Sequence, residues 1–105
     1  MKIKKLDHLS NIYNGYDAFL IDLWGVMHNG IQLNSSALDV IQKLDEKNKK
    51  IIFLSNAPRP INKVKEFLKK LNMEDKFLKN LFTSGEAAIN SLREGIFGKK
   101  FFHLG

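Results

Sequence analysis

Two short runs, AFLI at 18–21 and IIFL at 51–54, constrain this chain more than anything else in it. Neither alternates apolar with polar residues, each stops at a small polar side chain, Asp22 or Ser55, and each leads through a broken loop into a helical pattern. Apolar strands of this kind, each followed by a helix, predict an α/β fold: a Rossmann-like parallel sheet with helices on both faces. Ligands of such sheets gather outside the carboxyl ends of the strands. Asp22 and Ser55 both fall there.

The rest of the chain fills in that frame. Ile3, Leu6, Leu9 and Ile12 recur every three residues and predict a short helix over 3–13, closed by Gly15. Residues 18–22 read as a buried strand and 23–33 as a loop broken by Gly25, Asn29 and Gly30. Asn34, Ser35 and Ser36 are candidate caps for a helix over 36–47 that turns Ala37, Val40, Ile41 and Leu44 inward. KIIFLS at 50–55 is a second buried strand. Pro60 suits a helix start, and Ile61, Val64, Phe67, Leu68 and Leu71 form the apolar stripe of the helix it opens. LFTS at 81–84 predicts a brief extended piece, a helix follows from near Gly85, and KKFFHLG at 99–105 predicts a last strand. The expected order is β, α, β, α, short β, α, β.

A chain of 105 residues, 44% hydrophobic, allows one small domain, 1–105. It has no cysteine, so a disulfide framework and a cysteine zinc site are both excluded. The start, MKIKKL, is basic, yet the residues after it are too polar for a signal peptide, and no run is long enough to span a bilayer. A cytoplasmic location without membrane contact is expected. The net charge of +6 comes mostly from lysines on the polar faces of predicted helices, with only Arg59 and Arg93 able to offer a bidentate fork. No aromatic residues are interleaved with a basic stripe, so nucleic acid is not an expected partner.

Read from the residues alone, Asp22 has two roles open to it. It is a nucleophile whose following loop cradles a phosphoryl group, or it is a turn-former. Ser55 and Asn56, at the end of the neighbouring strand, would hold phosphate oxygens near the same point, or would cap the turn. His28 reads as a loop-structure residue, with substrate contact as the alternative. His8 and His103 have no ligand-spaced companions. Trp24, Phe53, Phe101 and Phe102 read as core or loop anchors rather than a stacking platform. No Walker-type or dinucleotide-type glycine loop is present.

IDLWGVMHNG resembles the first motif of the haloacid dehalogenase-like superfamily, and IIFLSNAPRP resembles its second, with the Asn56 that marks the class IIA branch. LFTSGEAAINSL and KKFFHLG resemble the segment that leads that branch to its cap domain. Three ordered motifs from about Tyr16 onward are far more specific than one. The resemblance implies a Mg²⁺-dependent phosphatase acting on a small phosphorylated metabolite. Asp22 would then be the nucleophile, forming an aspartyl-phosphate, and a magnesium ligand together with the carbonyl of Trp24. Ser55, with Asn56 beside it, would bind the phosphoryl group.

Two departures qualify what is implied. Where the family's phosphatases carry a second aspartate that protonates the leaving group, this chain has Trp24, and an indole cannot exchange a proton in the working range. The lysine and acidic pair that the family places beyond its cap have no counterpart in these residues. The chain therefore resembles the N-terminal part of such a core, lacking the cap and C-terminal strands, and is expected to be inactive alone. Self-association through the open edge of the first strand is expected with it. A dehalogenase, whose halide leaves without a proton, and a catalytically dead segment that binds a phosphoryl ligand or a protein stand as alternatives.

Overall fold

A computed structural model describes residues 3–104. Three parallel strands, β1 (Ala18–Ile21), β2 (Lys50–Ser55) and β3 (Leu81–Thr83), form one sheet in the order β1-β2-β3. Ile21 stands opposite Phe53 in the first pair, and Phe53 opposite Leu81 and Ser55 opposite Thr83 in the second. The helices α1 (Ser35–Glu46) and α2 (Ile61–Lys70) make the two crossovers, and α3 (Ser84–Arg93) follows β3 directly. Parallel strands laid down in sequence order by right-handed crossovers place both connecting helices on one face. The core agrees: Ile41 and Leu44 of α1 and Val64 and Leu68 of α2 pack with Ile51, Phe53 and Leu81.

The α/β class, the parallel sheet and the strand-helix alternation are as expected. The second layer of cover is not made by the described residues. Leu20, Leu54 and Phe82, which alternate with the core residues along the strands, are 68%, 51% and 53% exposed. Strand β1 is a sheet edge and is half-buried at best, where the sequence led us to expect a buried strand.

The helix limits have local causes. Asn34 caps α1 through its side-chain oxygen, which accepts from Ser36 N–H at 3.0 Å and Ala37 N–H at 3.4 Å. Both crossover helices end the same way. Asn48 and Asn72 adopt positive φ of 55° and 70° just past the last turn, and Lys49 and Met73 reach back to the carbonyls of Leu44 and Leu68. Asparagine tolerates this conformation, and the back-bonds satisfy carbonyls the helix leaves open. Met73 thereby turns into the core, 4% exposed.

Three further expectations fail. Residues 3–13 form no α-helix: only single 3-10 turns occur, at Leu9–Asn11 and Tyr13–Gly15, because the threefold spacing finds too little surface to pack on and residues 3–8 are exposed. The segment 99–104 is not a strand, since it pairs with nothing among the described residues; Phe101 and Phe102 are exposed and anchor no core. Gly105, the last residue of that expected strand, lies outside the described residues. Between α2 and β3, a 3-10 turn over Asp75–Lys79 buries Phe77 and Leu78 where only a polar connection was expected. No helix among the described residues is long and apolar enough to cross a membrane.

Candidate active site

The loop after β1 is built around one backbone oxygen. Leu23 C=O accepts from the N–H groups of Val26, Met27 and His28 at 3.2, 2.8 and 3.2 Å, and His28 C=O accepts from Gly25 N–H at 2.8 Å. So tight a turn needs positive φ at one position, and Gly25 supplies it at 79°. Leu23 and Met27 drive the loop into the core, 2% and 1% exposed. Asp22 is left exposed at the carboxyl end of β1, one carboxylate oxygen accepting Leu23 N–H at 2.8 Å.

One strand over, Ser55 ends β2 with its side chain buried. Its hydroxyl oxygen accepts Ala57 N–H at 3.1 Å, so its own hydrogen remains to be given elsewhere. Asp22, Ser55 and Asn56 line one open depression of about 550 Å³ at the carboxyl ends of β1 and β2, and Ser84, at the end of β3, joins them. The structure thus brings together the residues expected to react with and bind a phosphoryl group. Ser84 was missed by sequence reasoning. The signal was present, since it follows a third strand of the same sheet and so had to reach the same edge. The backbone N–H groups of Trp24 and Asn56 donate to nothing among the described residues.

Trp24 does not line that depression. The end of its indole ring lies against Gly30, so closely that a Cβ there would fall 2.6 Å from the ring. This gives Gly30 a reason beyond its φ of 90°. His28 is buried beneath, its ring edge-on to Trp24 at 5.4 Å and to Phe67 at 5.2 Å. Its Nδ1 accepts Gly30 N–H at 3.0 Å, which leaves the neutral ring's hydrogen on Nε2. Burial pushes the imidazole below its ordinary pKa, with the charge of Asp22 pulling partly the other way. Ser55 and Asn56 also line this second depression, of about 450 Å³, with Trp24, His28 and Arg59.

For Mg²⁺ the loop offers the Asp22 carboxylate and the Trp24 carbonyl, which accepts no backbone hydrogen bond among the described residues. No group of three or more His, Cys, Asp or Glu able to hold a metal occurs among those residues. An ion that prefers six oxygens finds two here, so the described residues do not make a magnesium site by themselves.

Comparison with known proteins agrees with this geometry. The family described as haloacid dehalogenase-like hydrolase matches residues 19–105. A crystal structure of a hydrolase of the haloacid dehalogenase-like family from Brucella suis 1330 superposes with a TM-score of 0.81 at 30% identity. The match covers 96% of this chain and 36% of that one, so this chain spans little more than a third of its relative's length. No curated protein matches significantly.

Proposed function

The chain belongs to the haloacid dehalogenase-like hydrolase family, and on that premise we propose that it carries the nucleophile and phosphoryl-binding groups of a phosphatase of the class IIA type. The observation that carries this reading is the single depression shared by Asp22, Ser55 and Asn56. Asp22 attacks phosphorus through the carboxylate oxygen that Leu23 N–H does not hold. The new O–P bond forms as the bond to the leaving oxygen breaks, and water later opens the aspartyl-phosphate. Ser55 gives its free hydroxyl hydrogen to a phosphoryl oxygen, and the amides of Trp24 and Asn56, which donate to nothing among the described residues, do the same. Mg²⁺, which hydrolases of this family generally use, would offset phosphoryl charge once further ligands complete its site.

Trp24 sets the substrate class. With no proton available from the indole, groups that leave as anions, aryl or acyl phosphates, are hydrolysed in preference to alkyl phosphates. Small phosphorylated metabolites of that kind are the proposed substrates. The test is to treat the chain with a reactive acyl phosphate and then with borohydride, which reduces an aspartyl-phosphate to homoserine. Reduction mapped to position 22 by mass spectrometry, and absent in Asp22→Asn, is the expected result; modification elsewhere, or none, overturns the reading. Turnover by the 105-residue chain itself is expected to be very slow, for want of a complete metal site.

Trp24 also favours one other reading, a dehalogenase, because halide departs without a proton. Halide release from a 2-haloacid that depends on Asp22, without phosphate release from any ester, would select it.

A further inference from the structure

The second depression shares Ser55 and Asn56 with the phosphoryl site just described and extends away from it. Its apolar lining includes Leu23, Phe67 and Trp24. The Trp24 indole is 65% exposed and rests against Gly30 and the His28 ring. At the rim stand Arg59 and Lys63. Lys63 pairs with Glu66 at 3.1 Å, whereas Arg59 forms no salt bridge among the described residues. The Arg59 backbone is clasped from the far side of the sheet. Thr83 Oγ1 donates to its carbonyl at 2.7 Å, and Gly85 N–H donates to Ala57 C=O at 3.0 Å. Gly85 lies so close that a Cβ would fall 2.4 Å from Pro58 and 2.5 Å from Arg59. Arg59 thus lines the cavity on a turn whose backbone is tied to β3 and the start of α3.

We infer that this second depression is the subsite for the part of the substrate that is not transferred, and that it selects a planar group bearing a second anionic charge. The plane lies against Trp24 and the anion meets Arg59, a fork suited to carboxylate or phosphate. Trp24 and Arg59 are therefore specificity residues. This rests on the phosphatase reading, because the phosphoryl group at Asp22 and Ser55 fixes where the rest of the molecule must lie, across Asn56, which both depressions share.

Trp24 is the only tryptophan, so its indole N–H resonance reports on this cavity alone. The chain is titrated with phenylphosphonate, 4-phosphonobenzoate, methylphosphonate and benzoate. The expected result is that both aryl phosphonates shift the indole signal, and that 4-phosphonobenzoate binds about tenfold tighter than phenylphosphonate. Arg59→Ala should bring the two within about twofold while leaving phenylphosphonate unchanged, and Arg93→Ala should preserve the gap. Equal affinities in the unaltered chain, or an Arg59→Ala loss shared by both aryl ligands, overturns the subsite. Failure of the phosphatase reading looks different: phosphonates then bind no better than benzoate, and Ser55→Ala changes nothing. If only the subsite is wrong, phosphonates bind through Ser55 with the indole signal unmoved.

Discussion

The two faces of the sheet are written in the same alphabet and live in different solvents. On one, Ile51, Phe53 and Leu81 are 8%, 0% and 3% exposed under α1 and α2; on the other, Leu20, Leu54 and Phe82 are at least half exposed. Hydropathy along a parallel strand reports that both faces are meant to be dry, not which of them is dry in these residues. Every consecutive crossover here goes to one side, so the second side has no layer of its own.

Substitutions at matched positions put that difference to the hardest test. Phe53→Ala should cost about 3–5 kcal/mol, because it opens a cavity in a packed interior, whereas Phe82→Ala should cost under about 1 kcal/mol. Urea denaturation measures both, and similar losses would show that the second face is covered after all. Next in size is Gly85→Ala, expected to destabilise by about 1–3 kcal/mol, since its new methyl meets Pro58 and Arg59 backbone. Gly95→Ala is the contrast: it has a positive φ but open space around it, and should cost roughly 1 kcal/mol from backbone strain alone.

A smaller effect separates the faces by pH. His28, on the covered side, is held below its ordinary pKa by burial. The unfolded chain therefore takes up its proton first as pH falls, so stability is complete above about 6.5 and declines as pH drops toward the lower folded value. The loss should appear between about pH 7.5 and 5 in thermal or urea melts, and should shrink in His28→Gln. A decline of unchanged size in that variant would assign it to other groups. Smallest in stability is Leu54→Lys on the open face, expected within about 0.5 kcal/mol of the unaltered chain. If that face or the β1 edge drives self-association, Leu54→Lys and Leu20→Lys should each lower the mass seen by sedimentation, and unchanged mass would locate the contact elsewhere.

What could be read beforehand follows the same division. Strand β2 and the helix stripes were legible to within a residue or so because the covered face imposes a strict spacing on them. Asp22 and Ser55 were legible because the end of a parallel strand is a place as well as a sequence position. The threefold pattern before Gly15 and the aromatic pair at 101–102 misled, since apolar periodicity describes what a segment offers and not whether a partner surface is there to accept it. The aromatic floor around Trp24 could not have been read either. It depends on Gly30 meeting an indole six residues away and on Phe67 arriving from another helix. Arg59 stood in plain view as an unassigned arginine, but its fixed position comes from Thr83 and Gly85, far along the chain.

That long-range clasp also orders events in time. The β1-β2 pairs join residues 32 apart and the β2-β3 pairs residues 28 apart, the 57–60 turn takes its shape from partners 24 to 28 residues later, and the first free amide of α2, Ile61 N–H, is capped by Glu86 at 3.0 Å. Loop closure of that length is among the slower local steps of folding. The anion-binding rim therefore takes its shape only once β3 and the start of α3 are in place. In hydrogen exchange, the amides of Ile61 and Gly85 are expected to open together while those of β2 stay protected; equal protection of all of them would show that the rim opens only with the core.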